Sequence, residues 1–299
     1  MGFMDPRQQT VLFIFSGLLG LVVGSFLNVC IFRLPRNCMS IVKPRSRCPK
    51  CLTWIAWYDN LPVVSWTILG GKCRHCRNPI SVRYTLVELL TGLLFLYAGW
   101  RAIYGWQGTP GWRQGAQFAV EAWFVSALIV STFIDLEFQI LPDEITLSGV
   151  IIGLAASAAC PFLHQTDLVH TVIRQPNFAA LTASALGALV GGGSIYLVGV
   201  LGKHVFRKEA MGFGDVKYMA MVGALLGWRG VLLTFMIACL WGSVYGIGKK
   251  IVTRTMGYVP FGPFLSVGAL TMLFFTPEVN HLLDAYIDWN HRVIGGLMR

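Results

Sequence analysis

Eight long, charge-poor runs limit what this chain can fold into. They cover residues 10–32, 84–104, 118–134, 145–163, 178–202, 216–228, 231–248 and 258–275. Most approach the roughly 20 residues that carry a helix across a bilayer. The sixth is short, and the second and third contain Glu88 and Glu121. A soluble domain would carry about 25% charged residues, whereas this 299-residue chain has 13%. The expectation is an all-α polytopic membrane protein of about eight transmembrane helices. The first run is not expected to be a cleaved signal peptide, because it is long and passes into Ile31-Phe-Arg-Leu-Pro35 without a small-residue cleavage site.

The net charge of +10 would suit a nucleic-acid binder, but its distribution does not. Ten of the 24 Lys and Arg fall between Arg33 and Arg83, where Asp59 is the lone acid. Lys203, Arg207 and Lys208 occupy a second loop, and Lys249, Lys250 and Arg254 a third. With eight spans these three loops share one side, and basic short loops mark the cytoplasmic side. Both termini are therefore expected outside (periplasmic), the basic insertion inside, the lipid bilayer as the partner of its charge, and no nucleic acid.

The expected organisation is a first transmembrane helix at 1–32, a cytoplasmic Cys-rich insertion at 33–83, a bundle at 84–276 and an outer-face tail at 277–299. In the tail, Leu283, Ile287 and Ile294 alternate with Asp284, Asp288 and Arg292, as in an amphipathic surface segment. Gly187, Gly191, Gly192 and Gly193, with Gly199 and Gly202, point to close helix packing in the fifth run.

The insertion carries Cys48-Pro-Lys-Cys51 and Cys73-Arg-His-Cys76, two C-x-x-C pairs with 21 residues between them. Paired thiolate knuckles supply the four tetrahedral ligands that a structural Zn2+ takes. Metal binding would then furnish much of the folding free energy of a segment poor in apolar residues. Structural disulfides do not suit a cytoplasmic site, and a redox dithiol needs no second copy. His75 is expected to be a bystander, Cys30, Cys160 and Cys239 core residues, and Cys38 to lack a partner.

Six of the 14 acids, Asp135, Glu137, Asp143, Glu144, Glu209 and Asp215, fall at the inner ends of spans three to six. Asp143 and Glu144 follow Pro142 and suit a helix N-terminus, where carboxylates complement the dipole. Asp135 and Asp215 lie at the junction of membrane and cytoplasm on separate helices, a costly position for a carboxylate. Two such groups in contact share one proton, and the pair can then activate water and polarise a scissile carbonyl. Gly212 and Gly214 before Asp215 allow close backbone approach. Alternatively, Asp215 pairs with Lys217 or caps its helix, while Asp135 caps loop amides. Lys217 is expected to orient Asp215, and Glu88 to pair with Arg83 or Arg101.

Taken together, these segments resemble the bacterial type IV prepilin peptidases, membrane aspartic proteases of the G-x-G-D type. The resemblance rests on G24-S-F-L-N-V-C-I-F-R-L-P35, both cysteine pairs, N60-L-P-V-V-S-W66, G70-G-K-C73, I80-S-V-R-Y84, V87-E-L89, F133-I-D-L-E-F-Q-I-L-P-D-E-I-T146 and M211-G-F-G-D-V-K217. It implies that Asp135 and Asp215 are the catalytic pair, with Asp143 the aspartate after the L-P turn, and that Cys48, Cys51, Cys73 and Cys76 are the family's four cysteines. It also implies cleavage of a basic leader from prepilins or pseudopilins at the cytoplasmic face of the inner membrane, typically between Gly and Phe. Methylation of the new N-terminus by S-adenosylmethionine is the second implied activity, although no G-x-G-x-x-G follows a strand here. Glu137, Asp143, Glu144 and Glu209 are expected to attract the basic leader. Two rival classes are a zinc-binding membrane scaffold and an ion-coupled transporter; the latter is disfavoured by acids confined to one face and by the lack of an internal repeat.

Overall fold

The computed structural model describes residues 5–36, 40–105, 111–164, 173, 175–207, 211–253 and 259–297. Helix α1 runs Pro6–Arg33, opened by Asp5, whose side chain accepts the Arg7 amide, with proline at the first turn. The insertion holds one short helix, α2 (Val64–Ile68). Then come α3 (Val82–Tyr104), α4 (Trp112–Phe138), α5 (Asp143–Ala159), α6 (Pro176–Phe206), α7 (Phe213–Thr253) and α8 (Gly262–Leu297). Among the described residues the only extended pairings are two isolated bridges inside the insertion.

Among the described residues six helices are long and apolar enough to cross a membrane. The expected eight segments are recovered once α5 and a break in α7 are counted. Helix α7 has 41 residues, about 62 Å at 1.5 Å per residue, twice what a bilayer core needs. It is interrupted at Gly227, whose φ of 72° and ψ of 176° only glycine adopts readily. Helix α5, at 17 residues, is a short crossing. Helix α8 kinks at Phe275, just before Pro277, and continues as a helical tail exposing Leu282, Tyr286 and Trp289.

Helix α4 is the most enclosed span and divides the apolar interior in two. On one side Leu27, Ile31, Val87, Phe95, Val130 and Ile134 join α1, α3 and α4. On the other, Leu128, Ile195, Met219, Met221, Val231 and Leu265 join α4, α6, α7 and α8. Val11, Phe15, Leu18, Val22 and Phe26 form an exposed stripe along α1, as a lipid-facing surface requires.

Gly187 and Gly191 of α6 have the expected packing role. A Cβ at Gly187 would stand 2.9 Å from the Gly223 carbonyl carbon, and one at Gly191 2.8 Å from Val231 Cγ2. Only small residues let α6 and α7 approach so closely. Gly193 on the same helix faces open space.

Candidate active site

Helix α4 ends at Gln139 in the left-handed conformation, its amide donating to the Asp135 carbonyl at 2.9 Å. Asp135 therefore sits in the last turn, and its side chain is buried at 5% exposure. Its Oδ2 accepts the Gly262 amide, the first of α8, at 2.9 Å. A Cβ on Gly262 would stand 2.7 Å from that oxygen, so glycine alone allows the approach. Asp215 is the third residue of α7, and its Oδ2 accepts the Gly212 amide at 3.2 Å. This is half of a capping box, an N3 carboxylate reaching back to the N-cap amide. Gly214 lets this turn lie against Leu141, whose Cβ would be 3.3 Å from an added Cβ.

The two carboxylates stand at one end of the bundle, within electrostatic reach of each other and of the buried Tyr218 phenol. Behind them the Tyr218 hydroxyl lies 2.6 Å from Ser266 Oγ, and Thr132 Oγ1 donates to the same oxygen at 2.7 Å. Gly262, Tyr218, Ser266 and Thr132 are site residues that sequence reasoning missed. The Pro260-Phe-Gly-Pro263 turn was the available signal for Gly262; hydroxyls inside apolar helices give none.

The flanking acids are engaged within the chain. Glu137 pairs with Arg83 and lies 3.6 Å from Arg36. Asp143 receives Lys217 Nζ on both oxygens at 2.7 Å. This corrects the expectation that Lys217 orients Asp215: two residues apart on a helix, their side chains do not face each other. Glu144 is exposed in the first turn of α5, and Glu209 lies outside the described residues. Glu88 is buried but pairs with neither arginine. It accepts the Val63 amide of the insertion at 2.8 Å. Arg83 lies five residues away, off the same helical face, and Arg101 is committed to Glu121 at 3.3 Å.

The cysteine pairs form two matching turns. The Cys48 amide donates to Thr53 and its carbonyl accepts from Leu52, while Cys73 does the same with Asn78 and Arg77. Each turn reverses through a positive-φ residue, Leu52 or Arg77, and closes in a bridge, Arg47 with Trp54 or Lys72 with Pro79. The four sulfurs all lie within 4.8 Å of one another, Cys48 and Cys76 at 3.8 Å. A tetrahedral metal with bonds of about 2.3 Å to sulfur requires an edge of about 3.8 Å, so the quartet can hold a metal ion. The Thr53 hydroxyl and amide hold the Cys51 thiol down to about 6, on the way to the thiolate that a metal needs. Arg74 grips Asp59 bidentately, 2.9 and 2.6 Å, tying the second turn to the 57–60 segment and holding the Asp59 carboxyl below its usual range. His75 is exposed and outside the quartet. Cys30 and Cys160 are buried as expected, but Cys239 is exposed on α7, where apolar surroundings are lipid rather than protein core. Cys38 lies outside the described residues.

Residues 18–102 match the family model of the bacterial peptidase A24 N-terminal domain, and residues 122–247 that of the type IV leader peptidase family. A prepilin leader peptidase/N-methyltransferase of Myxococcus xanthus (strain DK1622) is 40% identical over 86% of this chain and 67% of its own length. A protein of the same name from Pseudomonas aeruginosa is 34% identical over 88% of this chain and 90% of its own. A type 4 prepilin-like proteins leader peptide-processing enzyme of Escherichia coli O78:H11 is 35% identical over 85% and 91%. No solved structure matches the chain. With both halves matched in order and relatives aligned over most of their length, the chain belongs to the type IV leader peptidase family.

Proposed function

We propose that Asp135 and Asp215 are the catalytic pair of a prepilin leader peptidase/N-methyltransferase. The observation that supports this reading is that both carboxylates lie at one end of the bundle within electrostatic reach of each other, each accepting a backbone amide. In the reaction, one carboxylate takes a proton from water as the oxygen attacks the scissile carbonyl. The other, protonated, donates to the carbonyl oxygen. Collapse of the tetrahedral intermediate breaks the C–N bond and returns a proton to the departing amine. Gly262 and Gly212 keep both carboxylates oriented, and Gly214 lets the α7 turn approach the α4–α5 link.

The substrates under this reading are prepilins or pseudopilins with basic leaders. The basic loops support a cytoplasmic site in the inner membrane with both termini periplasmic. The organisation proposed is a first transmembrane helix at 1–32, a metal-binding insertion at 33–83, the peptidase bundle at 84–276 and the tail at 277–299. Zinc is the ion we assign to Cys48, Cys51, Cys73 and Cys76; it would supply a fixed tetrahedral anchor for the insertion. S-adenosylmethionine is the methyl donor that the second activity implies. The described residues include no strand leading into a glycine-rich turn to cradle it, so no methyl-transfer step is assigned to particular side chains.

The test is to make Asp135→Asn and Asp215→Asn separately and assay leader removal in membranes, with methylation of pre-cut pilin as a second readout. Loss of cleavage with methylation retained is expected for both. Cleavage surviving in either variant would remove that residue from the pair.

A further inference from the structure

We propose that Ser266 is a positioning residue: together with Tyr218 and Thr132 it ties α4, α7 and α8 one turn below the aspartates, and so fixes the Gly262 amide against Asp135. The inference rests on the reading that Asp135 and Asp215 cut the peptide bond.

The geometry is periodic. Thr132 precedes Asp135 by three residues on α4, Tyr218 follows Asp215 by three on α7, and Ser266 follows Gly262 by four on α8. Such spacings put each pair on one helical face. The three hydroxyls therefore meet directly behind the three groups that shape the site. Tyr218 is fully buried and Ser266 is 3% exposed, among Leu128, Leu265 and Ala269.

The Tyr218 hydroxyl and Ser266 Oγ are hydrogen-bonded at 2.6 Å, and either can donate. Thr132 Oγ1 donates to Ser266 Oγ at 2.7 Å, sharing its proton with the Leu128 carbonyl of its own helix. Ser266 Oγ also reaches the Gly262 carbonyl at 3.0 Å and the Leu128 carbonyl at 3.4 Å, both acceptors for its own proton. One residue thus collects a helix from either side and passes the constraint to the glycine whose amide holds Asp135 at 2.9 Å. A hydroxyl has one proton and two lone pairs, so Ser266 is saturated. Loss of the Tyr218 link removes this tie between α7 and α8, and loss of the Thr132 link leaves the Gly262–Asp135 bond to hold α4 against α8. Displacement of a reacting group by about 1 Å costs up to ~10²-fold in rate. Among the described residues, Tyr218 is the titratable group within electrostatic reach of both aspartates. Glu137, Asp143 and Lys217 nearby are held in ion pairs.

The test uses full-length enzyme in lipid nanodiscs with a prepilin substrate, comparing Tyr218→Phe, Ser266→Ala, Thr132→Val and Thr132→Ser. Tyr218→Phe removes one oxygen and Thr132→Val is isosteric, so neither opens a cavity. Expected is a fall in kcat of about 10-fold or more with KM within about twofold. The kcat–pH profile should move, because the spacing of two coupled carboxylates sets their joint titration. Thr132→Ser, which keeps the hydroxyl, should restore both kcat and profile, and methylation of pre-cut pilin should survive throughout. Unchanged kcat, an effect on KM alone, or a loss uniform across pH overturns the proposal, whether or not methylation survives. Should Asp135→Asn or Asp215→Asn retain cleavage, the catalytic reading itself fails, an outcome the hydroxyl variants cannot produce.

Discussion

Substituting Gly223 by alanine tests whether the α6–α7 contact sets the active-site geometry from a distance. A Cβ at Gly223 would stand 2.5 Å from the Gly187 carbonyl carbon and 3.1 Å from the Ala188 amide nitrogen, with the Gly187 oxygen nearer still. Ordinary contact begins at 3.4 Å, so the carbon alone requires the two helices to part by about 0.9 Å at this point, and the nearer oxygen requires more. Both obstacles are backbone, which cannot rotate away as a side chain would. Gly223 lies eight residues, about 12 Å, along α7 from Asp215, so the first limb of α7 carries the displacement to the site. Overpacking of this kind destabilises by about 1–3 kcal/mol, and a misplacement near 1 Å costs up to ~10²-fold in rate. Gly223→Ala should therefore lower kcat/KM for prepilin cleavage about 10- to 100-fold and reduce the melting temperature in detergent. Gly193→Ala, on α6 but facing open space, should change neither measurably. Wild-type cleavage by Gly223→Ala, or an equal loss in both variants, would show that the close approach does not govern the site.

Three further outcomes follow from the same geometry. Cys48→Ser combined with Cys76→Ser, one ligand from each turn, should abolish the bound metal seen by elemental analysis and expose the 40–81 segment to protease; metal retained at one ion per chain would refute the quartet. Glu88→Leu should leave the Val63 amide without its acceptor at a cost of about 1–3 kcal/mol, loosening the insertion while Asp135 and Asp215 stay in place; a wild-type melting curve would contradict this. Glu137→Gln should leave KM for basic leaders within about twofold even at low salt, because Arg83 and Arg36 already occupy that carboxylate; a marked rise would return Glu137 to the leader.

Much of this molecule was legible before any coordinates. Charge-poor length gave the spans, because lipid forces every backbone group into a helix. The cysteine spacing announced a quartet that can hold a metal ion, and two costly carboxylates marked the end of the bundle at which both lie. What sequence could not supply was pairing across helices. Lys217 stands two residues from Asp215, yet its partner is Asp143, 74 positions away. Glu88 binds an amide in the insertion rather than a nearby arginine. The four flanking acids looked like a landing site for a basic leader until two of them proved to hold cations of their own chain. Ser266 and Thr132 read as small packing residues, since a hydroxyl in an apolar run reveals its partners only after the helices dock. Gly227 could be placed near a span boundary but not recognised as the break inside one helical course.

The central claim is that two carboxylates act on one peptide bond, and binding of a transition-state mimic tests it most directly. A prepilin-derived peptide with a hydroxyethylene unit at the cleavage position should bind the intact enzyme at least ~10²-fold more tightly than the uncleaved sequence. That advantage should collapse equally in Asp135→Asn and Asp215→Asn, with affinity for the leader unchanged. Tight binding of the mimic that persists in either variant would contradict the account.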